Sequence, residues 1–340
     1  NLRQGRVRPK LPAVGHHVLE ICAGGGGQAI GLEMAGFACA GAVEIDHHSC
    51  DTLRLNRPRW RVVEGDVRDV NGRDFAGVDL FAGGVPCPPF SIAGKQLGTN
   101  DERDLFPEAL RLIGEIRPAA VMLENVPGFA SSKFESYRRG LWKRLAQLGY
   151  EADWRILNAR DFGVPQLRPR FVLVAMKPYV FSRFAWPEVI EDPPTVGDVL
   201  FDLMAARGWP GAKAWKRMAN DVAPTLVGGS HKHGGPDLGP TRARAGWASL
   251  GVNGLGVADE APGPDFPPDG MPKITVRMAA RVQGFPDSWE FSGKKTAQYR
   301  QVGNAFPPPV AMAVARALLE ALNGITTTRI PAAGILAAMG

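Results

Sequence analysis

The chain has 340 residues, 45% hydrophobic and 22% charged, enough for a large core domain and a smaller companion. No apolar run nears the roughly 20 residues of a membrane-spanning helix, and the basic start NLRQGRVRPK has no signal-peptide core behind it, so no membrane association is expected. A net charge of +6 and a pI near 9.3 permit a polyanionic partner without demanding one.

The four cysteines, Cys22, Cys39, Cys50 and Cys87, lack both C-x-x-C spacing and the density of a disulfide framework. They read as free thiols of a cytoplasmic protein, three of them small core residues. The start on Asn1 suggests trimming or leftover tag residues, and ITTTRIPAAGILAAMG after Gly324 reads as a frayed or vector-derived tail, with 328–340 outside any domain.

In chain order, short apolar strands alternate with helical stretches through residue 177, the pattern of a doubly wound α/β sheet. Val18–Cys22 reads as a strand entering the glycine row Gly24–Gly27, followed by a helix over Gln28–Ala35 and a strand over Ala38–Val43. His47-His48 starts a helix. Val78–Ala82 is a strand running into GGVPC, Ala119–Leu123 one ending on ENVPG, and Arg170–Met176 a buried, β-branched one. From 178 to 272 the chain is rich in Gly, Pro, Trp and basic residues with little periodicity, which reads as a separate loop-heavy domain. Regular pattern returns at Thr275–Gln283 and in a terminal helix, Val310–Leu322, so 1–177 and 273–327 together form the first domain.

Every strong motif sits at the carboxyl end of a strand, the edge where open α/β sheets bind ligands. Glycines after the first strand allow a tight turn and close approach to a nucleotide-like ligand. Glu44, ending the next strand, can accept from both ribose hydroxyls of an adenosine, and Asp66 in EGDVRDV from an adenine amino group. Gly24-x-Gly26-x-x-Ala29 equally satisfies a nicotinamide-dinucleotide fingerprint, so this region alone leaves an oxidoreductase open.

Cys87 lies between prolines in a loop leaving a strand, where proline restricts the direction of the sulfur. The thiolate is the reactive form. The polar loop that follows, carrying Ser91, Lys95, Gln96 and Arg103, is suited to close over a ligand. Glu124 in MLENVPGF stands at a strand end, where an acid facing a closed apolar pocket has a raised pKa and keeps a proton near neutrality; a helix-capping or salt-bridged glutamate is the plain alternative. A cytosine ring needs that proton at nitrogen 3 when a thiolate adds to carbon 6. Arg168 and Arg170 in GVPQLRPRFVLVA are two apart, so they share one face and can hold a carbonyl and orient Glu124.

Cys87 in PCPPFS, Glu124 in ENV and Gln166-x-Arg168-x-Arg170 resemble signature motifs of the cytosine-5 DNA methyltransferase family. The resemblance extends to the glycine row, Glu44, Asp66, RMAARVQGFPDSW and YRQVGNAFPPPVA, and covers nearly the whole chain outside 179–272. It implies a Rossmann-like S-adenosyl-L-methionine-dependent domain with a smaller target-recognition domain over 178–272. The implied reaction moves the donor's methyl group to carbon 5 of a flipped-out cytosine, leaving S-adenosyl-L-homocysteine.

In that reading Cys87 attacks carbon 6, Glu124 contacts nitrogen 3, Arg168 assists at the carbonyl oxygen and Arg170 supports the pocket. Cys22, Ala23, Gly24, Gly26, Gly27, Glu44, Ile45, Asp66, Val67, Pro86 and Leu105 line the donor site, closed by Asn304 and Ala305. Glu20, Cys22 and Ile45 depart from the family's usual Asp, Phe and aromatic residue, which implies looser donor binding. Lys232, Arg242 and Arg244 offer DNA contacts, while His231-x-His233 reads as a polar loop and no metal site is expected. The implied partners are double-stranded DNA and a cognate restriction endonuclease, the protein itself acting as a monomer. A tRNA cytosine-5 methyltransferase of the same family is the nearest alternative, and a DNA-binding protein with an inactive fold a more distant one.

Overall fold

The computed structural model describes residues 15–86, 103–190, 192–228 and 237–325. Its centre is a seven-stranded sheet. In chain order come β1 (His17–Ile21), α1 (Gly27–Ala35), β2 (Ala38–Glu44), α2 (His47–Asn56), β3 (Val62–Glu64), β4 (Leu80–Gly84), α3 (Phe106–Ile116), β5 (Ala120–Asn125), α4 (Glu135–Gln147), β6 (Glu151–Asn158) and β7 (Pro169–Met176). Then follow α5 (Pro178–Phe181), α6 (Val196–Ala205), α7 (Ala212–Met218), α8 (Thr241–Ser249), α9 (Val276–Val282), α10 (Lys295–Asn304) and α11 (Pro308–Leu322).

The strands lie in the order β3-β2-β1-β4-β5-β7-β6. The five on the β3 side run parallel, whereas β7 pairs antiparallel with both β5 and β6. Successive strand side chains point to opposite faces, and the core divides accordingly. Val18, Leu80, Ala82, Ala120 and Met122 pack with α1 and α11. Leu19, Ile21, Phe81 and Val121 pack with α3 and α4. A strand covered on both faces is largely apolar, which is why β4, β5 and β7 are readable from the apolar runs Leu80–Ala82, Ala120–Leu123 and Phe171–Met176, while β1 carries the buried polar residues His17 and Glu20 among its apolar ones.

Two differences from expectation follow from the same physics. The first strand stops at Ile21, because Cys22 takes a left-handed turn with φ of 52°. The stretch after residue 177, expected to be loop-heavy, carries helices. α6 opens with a capping box in which Thr195 and Asp198 satisfy each other's backbone N–H. Its core is also shared: Val196, Leu200, Trp215, Trp247 and Val252 belong to one buried cluster with Ile274, Met278 and Val302, and with Ala23, Ala29 and Leu53 beside the glycine row.

Candidate active site

Two adjoining clefts open at the carboxyl ends of the parallel strands. The first, about 400 Å³, is lined by Glu20, the glycine row, Gln28, Glu44, Gly84, Glu124, Arg300, Gln301, Asn304 and Ala305. The second, about 550 Å³, is lined by Cys22, Glu44, Ile45, Asp66, Val67, Arg68, Pro86, Arg103 and Leu105. Cys22 and Glu44 line both. Each volume lies within the range of small-molecule sites, and together the clefts gather every residue expected to hold the donor except Gly26.

The glycines are explained by what they touch. A Cβ on Gly27 would lie 2.3 Å from the Phe306 carbonyl, and one on Gly26, at φ of 90°, 2.5 Å from the Trp289 ring. Gly26 therefore turns inward and serves packing. Gly24, also left-handed, faces open space, so its backbone can be approached by a ligand. Trp289 Nε1 donates to the Gly25 carbonyl at 3.0 Å, tying the C-terminal segment to the row.

Glu44 is fixed by three backbone N–H groups, Gly24 on Oε2 at 2.7 Å and Ile45 and Asp46 on Oε1 at 2.9 and 2.8 Å. Burial nevertheless pushes its carboxyl above the ordinary range. Asp66 accepts from the backbone N–H of Arg68 and pairs with its guanidinium. Glu20 is buried, and desolvation followed by repulsion from Glu44 raises its carboxyl well above the usual value. Glu20 Oε1 and both polar atoms of Gln28 are buried without a protein partner on the floor of the first cleft. Such groups can be satisfied by a polar ligand or by ordered water.

Glu124, the last but one residue of β5, lies directly opposite Gly84 on β4. Arg170 Nε lies 2.8 Å from Glu124 Oε1, both side chains nearly buried. Burial raises the Glu124 carboxyl, an effect that Arg170 and then Arg168 partly offset. Oε2 points toward Gly84, where a Cβ would come within 3.2 Å of it. Asn125 Nδ2 donates to the Val85 carbonyl at 2.8 Å, fixing the start of the loop that leads to Cys87.

The two arginines part company. Arg168 is 1% exposed; its Nη1 donates to the Leu226 carbonyl at 2.6 Å and its Nη2 to those of Gly303 and Ala305 at 2.6 and 3.0 Å. With both Nη atoms spent on backbone, Arg168 braces the site, and Arg170 is the guanidinium in contact with Glu124.

A family model for C-5 cytosine-specific DNA methylases matches residues 16–320. The chain belongs to that family. The enzyme is thus a DNA (cytosine-5-)-methyltransferase, and the oxidoreductase left open by the glycine row falls away. It is 56% identical over 310 residues to the Type II methyltransferase M.NaeI of Lentzea aerocolonigenes, covering 90% of this chain and 75% of that one. To M.NgoMIV of Neisseria gonorrhoeae it is 53% identical over 309 residues, covering 90% and 97%. Its fold resembles that of a prophage-encoded methyltransferase of E. coli, with a TM-score of 0.64, 25% identity and coverage of 91% and 99%. S. pombe Dnmt2, at 20% identity over 91% and 99% of the two chains, shares the fold with a TM-score of 0.62.

In this methylase Cys87, Ser91, Lys95, Gln96, Lys232, His231 and His233 lie outside the described residues. Among the described residues no cluster of His, Cys, Asp or Glu could hold a metal ion. Arg103 lines the second cleft. Arg242 is exposed on α8, and Arg244 reaches toward Asp237 and Thr241. Sequence reasoning missed Gln28 and Arg300 as cleft residues, and the amides Gln166 and Gln283. Arg300 and Gln166 stand inside motifs that were recognised, so their positions were visible though their contacts were not.

Proposed function

We propose that this methylase modifies cytosine at carbon 5 within a short duplex DNA sequence, with Cys87 as covalent nucleophile and S-adenosyl-L-methionine as donor. The observation that carries the reading is Glu124, buried at a strand end on the wall of the first cleft, its Oε1 engaged by Arg170 and its Oε2 turned toward Gly84. Because a guanidinium only donates, the proton of a neutral Glu124 sits on Oε2.

The donor fits the residues present. Glu20 and Gln28 offer unpartnered polar atoms for its amino-acid end, Glu44 Oε2 has one lone pair left for a ribose hydroxyl, and Ile45, Asp66, Val67, Pro86 and Leu105 form a pocket for adenine. When bound, the donor supplies an electrophilic methyl group. A side chain reaches carbon 6 only after the base leaves the stack. Cys87 Sγ then adds there as thiolate, while Glu124 Oε2–H holds nitrogen 3 as charge builds on the ring. Arg170 keeps Glu124 in place and stands at the base's carbonyl edge. Once carbon 5 carries the methyl group, its proton passes to a solvent base, Cys87 leaves as thiolate and nitrogen 3 returns its proton to Glu124, which restores aromaticity.

Reading of the flanking bases falls to the segment 178–272, with Arg242 and Arg244 among its DNA contacts. The Type II naming of the relatives supports a restriction–modification role, with a cognate endonuclease as partner. Bisulfite sequencing of DNA from cells expressing the protein tests the whole reading. Methylated cytosines are expected in one short motif and none with Cys87→Ser; scattered or absent methylation in the wild type refutes it.

A further inference from the structure

A single buried guanidinium holds together two parts of the chain that serve different ligands. Arg168 donates to the Leu226 carbonyl on one side and to the Gly303 and Ala305 carbonyls on the other. Gln166 reinforces the link: its Oε1 accepts the Leu226 N–H at 2.8 Å, and its Nε2 donates to Gln283 Oε1 at 2.7 Å. Gln283 in turn donates to the Ala305 carbonyl at 2.6 Å.

The backbones also meet directly. A Cβ on Gly303 would lie 2.4 Å from the Gly228 nitrogen, and one on Gly228 2.6 Å from Asn304 Oδ1. Leu226–Gly228 lies within the segment assigned to DNA reading. Asn304 and Ala305 line the first cleft.

We propose that Arg168 and the Gly228–Gly303 contact couple donor binding to DNA binding, so that each ligand tightens the other. The inference rests on the ligand assignments of the proposed function. Arg168 touches neither ligand and is a positioning residue. Displacing Leu226 or Ala305 alone would strip a buried guanidinium of a carbonyl, a costly loss, so the two segments move as one. A ligand that settles one of them has then prepared the other, and linkage makes the effect reciprocal.

The test is the affinity for S-adenosyl-L-homocysteine, measured by calorimetry on the full chain with and without saturating unmethylated linear plasmid DNA. The wild type is expected to bind at least about fivefold more tightly with DNA present. In Arg168→Lys and in Gly228→Ala, whose added methyl forces the two backbones apart, the ratio should fall to within about twofold of unity. Thermal melting identifies which variants remain folded, and either one suffices. A residue that only stabilised the fold would weaken both affinities and leave the ratio unchanged. Coupling is refuted by a wild-type ratio of one, or by folded variants that keep the wild-type ratio. Failure of the homocysteine product to bind alone would instead bring down the donor assignment, and this inference with it.

Discussion

Glu124 owes its chemistry to a conflict between two forces. Burial favours its neutral form, Arg170 favours its charged form, and burial is the larger influence. The neutral acid is the form that can donate to a ring nitrogen, so turnover should fall on the alkaline side as pH rises through the raised Glu124 value. Glu124→Gln keeps a donor but cannot titrate. It should lose about 10²- to 10⁴-fold in kcat and lose that alkaline limb, and a limb that persists in the variant assigns it to another group. Linkage gives the matching sign for stability: Glu20 and Glu124 bind their protons more tightly folded than unfolded. The stability they contribute is present below the ordinary carboxylate range and is lost as pH rises through their raised values. Thiol chemistry separates just as clearly. Burial pushes Cys22, Cys39 and Cys50 up to about 12, which leaves almost no thiolate near neutrality. Iodoacetamide at neutral pH should therefore label one cysteine, and mass spectrometry of Cys87→Ser should find that label gone. Labelling of Cys22 would contradict this.

At the scale of elements, α1 and α11 lie close because α1 offers glycine where α11 brings backbone. A methyl on Gly31 would stand 2.5 Å from the Pro308 carbonyl and 2.6 Å from Ala311 Cβ. Glycine to alanine inside a helix ordinarily gains about 1 kcal/mol. Here the overlap should cost about 1–3 kcal/mol, enough to reverse the sign, and a melting midpoint equal to or above wild type for Gly31→Ala would disprove the contact. Elements were legible where burial dictated composition. The strand β6 was not, because Glu151, Asp153, Arg155 and Ile156 face solvent at a sheet edge and leave no apolar run. The direction of β7 was not legible either, since an apolar run reads the same both ways. The start of α6 did carry a sign, the Thr195 and Asp198 pair, in a stretch whose glycines and prolines argued for loop. In the site, Glu44 and Glu124 were found because strand ends announce themselves. Gln28 was not, and the contacts of Gln166 and Gln283 were not, since their partners are absent or lie far along the chain, as in the 117-residue separation of Gln166 from Gln283.

For the whole molecule, the +6 charge acts through the phosphates of a DNA partner. Counterion release makes the logarithm of affinity fall linearly with the logarithm of salt, so raising salt from 50 to 200 mM should weaken duplex binding at least about tenfold in a filter or anisotropy assay. A flat response would mean that phosphate contacts contribute little.

The buried cluster that joins Trp215 and Trp247 to Met278, Val302 and the glycine row has an evolutionary corollary. The segment 178–272 cannot be exchanged for a cousin's as an independent cassette. The transplant would arrive with one half of a jigsaw, and Trp289, Phe291 and the residues around Val302 would have to travel with it or be recut to match.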